Sequence, residues 1–348
     1  MKKNEGYIEE KEEYVICENN GKKITVRDLQ LEVLTIMDEI HRVCVKNNIK
    51  YALIAGSALG IVNYKGFIPW DDDIDICILR EDWDKFIEAL NKDLSDDFYF
   101  QCYENDNRFN VIMGPTMKIR KKNTYIEEVN FLLKNKCKSG DGIFIDALIY
   151  DNICENKYID EANRLITRIL MPIYVLLDNL HINPLLLKKF LRWHAKRYSD
   201  KHKNSSRIGN IITEPWVPFL KGRHFDKKDV LPFKLYDFEG RKFYSYNNIE
   251  NVMKAWYGPN CLKKWDGKKW VETLPVEKRH PKHAVDVNLN GEKSLKKKDK
   301  TFLKKSFVLA LILIVSAYLI FNEISLVLLG TGIMIIGFAL LYFINKKN

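Results

Sequence analysis

Four aspartates, Asp71, Asp72, Asp73 and Asp75, fall within five residues of the stretch GSALGIVNYKGFIPWDDDIDICI, which runs from Gly56 to Ile78. Like charges this close repel one another, and where the chain passes at once into an apolar strand they cannot all stay hydrated. A positive charge is expected among them. The run Asp73-Ile74-Asp75-Ile76-Cys77-Ile78 alternates at period two, so a strand would set Asp73 and Asp75 on one face. Two carboxylates at i and i+2 have the spacing to share a divalent cation. Mg²⁺, or Mn²⁺ in its place, suits them, because magnesium is held by one or two carboxylates and keeps positions for phosphate oxygens and water. Asp71 and Asp72 read as acids that shape the loop or bind a water-coordinated metal, with direct ligation as the alternative.

A third acid, Asp146, sits in the apolar run GIFIDALI. An unpaired carboxylate there would be costly to bury. If its strand lies beside that of Asp73, Asp146 can face the same cation or take a proton from an attacking hydroxyl; the plainer alternative is an ion pair with a base such as Arg120. Gly56-Ser57 supplies the anion side. A strand ending in a small-residue turn that opens a helix presents backbone N–H groups to a phosphate. The pair is a weak signal by itself and a stronger one sixteen residues ahead of an Asp-x-Asp strand.

The elements that must position these residues follow from pattern. Thr25 can cap a helix, with Asp28 three residues on, and Leu29, Val33, Ile36, Ile40 and Val43 share one helical face. A short strand follows at Tyr51 to Ala55, then the Gly56-Ser57 helix, the aspartate strand, and a helix from Glu81 to Leu90. Phe98 to Tyr103, Met117 to Arg120 and Gly142 to Ile149 read as further strands. Helix, strand, strand, helix and more strands predict an α+β fold, a mixed sheet with helices against it. Tyr158 to Tyr198 reads as helical, with breaks at Pro172 and near Asn183-Pro184. The nine-residue run Ile169 to Leu177 is too short to span a bilayer and is taken as core helix, with an interfacial patch as the alternative.

At 348 residues and 46% hydrophobic content the chain has ample material for a core, and its net charge of +10 is unevenly placed. Seven lysines lie between Glu292 and Lys305, and two more close the chain. That excess flanks an apolar segment and does not stripe the folded part, which argues against nucleic acid as partner. Phe307 to Phe321 and Ile324 to Ile344 are uncharged over fifteen and twenty-one residues, with Asn322-Glu323 between them. With lysines outside both ends, they predict a transmembrane helical hairpin whose two ends, and the rest of the protein, are cytoplasmic. Seven unclustered cysteines argue for reduced thiols, and the polar start of the chain carries no signal peptide. The expected organisation is a polar tail at 1–24, a catalytic domain at 25–290, a basic linker at 291–306 and a membrane hairpin at 307–344.

Gly56-Ser57 followed by Asp73-x-Asp75 resembles the nucleotidyltransferase superfamily, and the longer GSALGIVNYKGFIPWDDDIDI resembles the LicD family of phosphocholine-type transferases, which includes the fukutin-related proteins. KIRKKNT (118–124), GIFIDALIYD (142–151), DFEGRKFYSYNNIENVMKAWYG (237–258) and LPVEKRHPKH (274–283) resemble later family segments, so the likeness extends over 25–283. It implies a nucleotidyltransferase-type fold and Mg²⁺-dependent transfer of a phospho-alcohol, typically phosphocholine from CDP-choline, to a cell-surface glycan or its lipid-linked precursor. Asp73, Asp75 and Asp146 would be metal ligands and catalytic acids, and Lys118 and Arg120, with Gly56 and Ser57, would contact phosphate. A quaternary ammonium would call for an aromatic cage, with Trp70, Trp216, Trp256, Tyr257, Trp265 and Trp270 as candidates. His280 and His283 read as surface or substrate contacts. Asn63 stands where the family commonly has Arg, and Ala147 to Tyr150 replaces the usual Phe-Pro; both bear on donor identity. The alternatives are transfer of a nucleoside monophosphate by the same site, and a non-catalytic membrane scaffold.

Overall fold

The computed structural model describes residues 14–19, 21–102, 104–105, 117–128, 141–179, 182–211, 224–259, 261 and 284–291. The chain divides into two units, Met1–Lys293 and Ser294–Asn348, and every described residue belongs to the first. The expected membrane hairpin at 307–344, and the basic linker beyond Gly291, lie outside the described residues. Among the described residues no helix is long and apolar enough to cross a membrane.

In chain order the elements are β1 (Val15–Asn19), β2 (Lys22–Thr25), α1 (Val26–Lys46), β3 (Tyr51–Leu53), α2 (Ala55–Tyr64) and β4 (Asp75–Leu79). After a 3₁₀ turn at Arg80–Asp82 come α3 (Trp83–Asp93), β5 (Phe98–Cys102), β6 (Met117–Lys121), β7 (Tyr125–Glu128) and β8 (Phe144–Ile153). The remainder is α4 (Lys157–Asn179), α5 (Leu185–Lys201), β9 (Arg207–Gly209), β10 (His224–Asp226), α6 (Lys227–Val230), β11 (Lys234–Phe238), β12 (Arg241–Ser245), α7 (Ile249–Tyr257) and β13 (Ala284–Asn288).

The expected α+β architecture is present, built on a mixed sheet. Its seven strands centre on β8, which pairs in parallel with β4 on one edge and antiparallel with β6 and then β9 on the other. Beyond β4 lies β3, beyond β6 lies β5, and beyond β9 lies β10. β8 is buried at nine of its ten positions, Asn152 being half-buried, as expected for a central strand covered on both faces. α1 packs against β6 and β8 with the predicted stripe Leu29, Val33, Ile36, Ile40 and Val43. Its start is the predicted capping box: the Thr25 hydroxyl accepts from the Asp28 N–H at 3.1 Å, and the Asp28 carboxylate accepts from the Thr25 N–H at 2.9 Å.

Four expectations change. Within the stretch read as a polar tail, β1 and β2 pair as an antiparallel hairpin, and Cys17 receives the Val287 N–H at 3.4 Å, so β13 supplies from far along the chain what local pattern does not. The aspartate strand begins at Asp75, because β3 ends at Leu53 opposite Ile76 and the next N–H on that side, that of Asp75, donates to the Ser57 hydroxyl. α4 runs unbroken through Pro172, since a proline removes one backbone donor and a 23-residue helix retains the rest. The run Ile169 to Leu177 is core on one side only: Tyr174 is fully buried, whereas Ile169, Ile173 and Leu176 are exposed.

Candidate active site

Strand register places the acids. Asp75 on β4 is the direct partner of Asp146 on β8, Asp146 is the partner of Lys118 on β6, and Lys118 is the partner of Gln101 on β5. Directly paired residues project to the same face. One row across four strands therefore carries two carboxylates, an ammonium and an amide. Lys118 Nζ lies 2.9 Å from Asp146 Oδ1 and 3.1 Å above the centroid of the Phe144 ring. Both members of that pair are nearly buried, so little water screens them.

Asp73 lies in the irregular approach to β4 and gathers with its loop neighbours: single carboxylate oxygens of Asp71, Asp72 and Asp73 come within 4.8 Å of one another. The loop is fastened at both sides. Asp72, buried, accepts the Ala284 N–H at 2.8 Å and so ties the loop to β13. Asp71 packs so closely on the start of α2 that a Cβ on Gly56 would stand 2.6 Å from its Oδ2. Gly56 is thus glycine because an acid approaches there. Gly60 answers a different closeness, since a Cβ on it would lie 2.3 Å from the Gly66 carbonyl oxygen. Ala55, at the entry to α2, holds φ of +49°, a left-handed conformation that strains a residue with a side chain. Strain at this point aims the first turn of α2 toward the acids.

The two predicted bases part company. Lys118 stands beside the acids. Arg120 is fully buried, with Nε donating to Gln101 Oε1 at 2.6 Å and a terminal nitrogen donating to the Gly142 carbonyl, also at 2.6 Å. It braces β5 and the start of β8. Lys118, rather than Arg120, is also the base paired with Asp146.

Further along the same face, the Tyr150 and Tyr246 hydroxyls are 2.7 Å apart. Complete burial raises the Tyr246 phenol well above its usual pKa, and burial raises the Cys77 thiol likewise. Both stay protonated near neutral pH. Among the described residues of the row, Asp75 and Asp146 are the carboxylates that could accept a proton. Sequence reasoning missed Tyr246, Phe144 and Gln101: strand pairing places Phe144 and Gln101, and the hydroxyl contact with Tyr150 places Tyr246.

Of the aromatic candidates, Trp256 and Tyr257 stack with centroids 5.7 Å apart, Trp256 also meets Phe225 at 5.5 Å, and Trp70 packs on the core. Trp216, Trp265, Trp270, His280 and His283 lie outside the described residues. Asn63 donates to the Cys261 carbonyl at 3.2 Å, so position 63 faces the chain after α7. No disulfide forms among the six described cysteines.

Comparison with known proteins meets this geometry at one stretch. Residues 48–146 match the nucleotidyltransferase domain of LicD, FKTN and FKRP, from just before β3 to Asp146. The chain carries a LicD-family domain. The match takes in Gly56, Ser57, Lys118 and all five acids, and it is narrower than the 25–283 suggested by motif likeness. Over 84 residues the chain is 36% identical to the lipopolysaccharide cholinephosphotransferase LicD of Haemophilus influenzae, covering 24% of this chain and 32% of that protein. An uncharacterized protein of Rickettsia typhi is 43% identical over 60 residues, 17% of this chain and 19% of its own. Another, of Rickettsia prowazekii, is 46% identical over 52 residues, 15% and 20% of the two chains. The similarity to these curated relatives thus spans a third of their length or less.

Proposed function

We propose that this chain is a phosphotransferase that moves a phospho-alcohol, phosphocholine foremost, from a CDP-alcohol to a hydroxyl of a cell-surface glycan or its lipid-linked precursor. The observation that carries this reading is the register row: Asp75 beside Asp146, with Lys118 closing it, inside the stretch that matches the LicD family. The named activity of the Haemophilus influenzae relative supplies the choice of alcohol.

The donor set is all oxygen, which suits Mg²⁺ or Mn²⁺ better than softer metals. Asp73, Asp75 and Asp146 are the residues to hold it; bound there, such a cation offsets charge on phosphate oxygens. The chain's own groups do the rest. The Gly56-Ser57 amides at the start of α2 and the Lys118 ammonium bind and orient the diphosphate. In the transfer, the acceptor oxygen forms a bond to the phosphorus bearing the alcohol. The bond from that phosphorus to CMP breaks, and the hydroxyl proton passes to a carboxylate of the site. An acceptor carried on lipid fits the proposed membrane hairpin and a catalytic domain on the cytoplasmic side.

The test uses the full chain reconstituted in lipid with Mg²⁺ and, in turn, CDP-choline, CDP-ethanolamine, CDP-glycerol and CDP-ribitol. CMP release with incorporation of the alcohol phosphate is expected, and Asp75→Asn should abolish it while leaving the melting temperature nearly unchanged. Undiminished turnover in that variant rejects the assignment. Incorporation of a nucleoside monophosphate with release of pyrophosphate would identify the same site as a nucleotidyltransferase instead.

A further inference from the structure

Sixteen large hydrophobic residues are exposed among those described, and ten of them lie between Tyr158 and Trp193. They are not scattered. On α4, Ile159, Ile166, Ile169, Ile173 and Leu176 recur at helical spacing; Ile182 continues the series through the turn; on α5, Leu186, Phe190 and Trp193 complete it.

The buried side of the pair is the polar one. Asp160 and Arg164 pair at 2.9 Å and Glu161 and Arg168 at 2.7 Å, all with little or no exposure, and Lys188 of α5 is fully buried. α4 therefore buries its charges and presents isoleucines outward, the reverse of a helix at a water surface. Such an arrangement is stable when the outside is itself apolar.

We propose that the outward face of α4 and α5 rests in the interfacial layer of a membrane bearing anionic lipid. Charge selects this occupant. Among exposed ionisable residues of α5, Lys189, Lys196, Arg197 and Lys201 stand against Asp200 alone. The aromatic residues of the face also sit beside cations: Arg197 lies 5.6 Å over the Trp193 ring and Lys157 lies 5.5 Å over that of Tyr158. An apolar body with a basic rim matches acyl chains beneath acidic headgroups. A two-fold pairing of this face with a second copy would set the same lysines against each other, which disfavours that occupant.

The test places the full chain in nanodiscs with brominated acyl chains, made of phosphatidylcholine alone or with phosphatidylglycerol. Trp193 emission is taken as the difference between the chain and Trp193→Phe. The expected result is loss of most Trp193 emission to bromine, greater with phosphatidylglycerol, and recovery of that emission in the double variant Ile173→Glu, Leu186→Glu. Both substituted residues are exposed, at 49% and 83%, so far-ultraviolet circular dichroism and turnover on a soluble acceptor should match the parent. Trp193 emission untouched by bromine overturns the proposal. So does quenching indifferent to phosphatidylglycerol. A shielded Trp193 that ignores bromine but is accessible after dilution identifies a second copy and overturns it as well. Turnover with a soluble acceptor is read separately, so failure here is distinct from failure of the phosphotransferase reading.

Discussion

Lys118→Met removes the ammonium paired with Asp146. The pair is 2.9 Å apart with 4% and 12% side-chain exposure, and on the other flank of Asp146 stands Asp75, its register partner. Breaking a buried pair by deleting one partner costs about 3–5 kcal/mol. The lower end applies here, because Asp146 keeps some solvent access. For a domain of this size about 3 kcal/mol lowers the melting temperature by about 6–12 °C. Asp146→Asn should cost less, about 1–2 kcal/mol: Lys118 keeps the Phe144 ring 3.1 Å away, a cation–π contact worth up to about 2 kcal/mol when desolvated, and the repulsion between Asp75 and Asp146 disappears. The double variant should fall well short of the sum, with a coupling of about 2 kcal/mol. The assay is thermal unfolding of the full chain in detergent with chelator, then with Mg²⁺. Because Lys118→Met leaves two adjacent carboxylates without their ammonium, Mg²⁺ should restore more stability to it than to the parent. Costs that add within about 0.5 kcal/mol would show that the two residues do not act as a pair and would refute the argument.

Gly56→Ala should cost little stability, since the Cβ meets the mobile end of Asp71 at 2.6 Å, yet it should lower turnover markedly by displacing the acids clustered with Asp71; paired melting and activity measurements decide it, and unchanged activity would show that the Gly56–Asp71 contact does not matter to the site. His224 is held neutral by burial first, and then by Arg207 and Arg164, which lower its pKa from 6.5 to about 4 against the opposing pull of Asp160. Between those values the unfolded chain binds the extra proton, so stability is full above about pH 6.5 and declines as pH falls toward 4. A shift of this size is worth about 3 kcal/mol undiscounted, and partial solvent contact reduces it to about 1–2 kcal/mol. His224→Gln should flatten the dependence of melting temperature on pH across that window, and an unaltered slope would remove His224 from the account.

What was local was legible in part: Gly56 and Ser57 open a helix as the turn suggested and Asp75 enters its strand, but alternation put Asp73 on that strand too, and it lies before β4 with Asp71 and Asp72. The Thr25 and Asp28 cap was legible for the same reason. Pairing partners were not, because register joins residues distant in the chain: nothing near Asp146 says whether Lys118 or Arg120 will face it. Two residues apart on β6, they differ only in which β8 residue they oppose, Asp146 or Phe144. Hydrophobic runs misled in the opposite sense. Ile169 to Leu177 has the composition of core, but α4 buries Asp160, Glu161, Arg164 and Arg168, paired with one another within the helix, and Ile169 and Ile173 face out.

Charge counting gives the strongest argument for a cation in the proposed reaction. Among the described residues the mouth of the sheet carries Asp71, Asp72, Asp73, Asp75 and Asp146, with Lys118 beside Asp146. Asp72 accepts the Ala284 amide and Lys118 pairs with Asp146. A diphosphate approaching such a surface would be repelled, and the amides of one helix turn offset only about half a charge. In the proposed reaction a divalent ion held by these acids would offset the charge on the donor's phosphates. Donor binding should therefore fall sharply on chelation while the fold, with Lys118 still paired to Asp146, persists. Tight binding of a CDP-alcohol to the chelated protein, measured by calorimetry, would contradict this balance of charge.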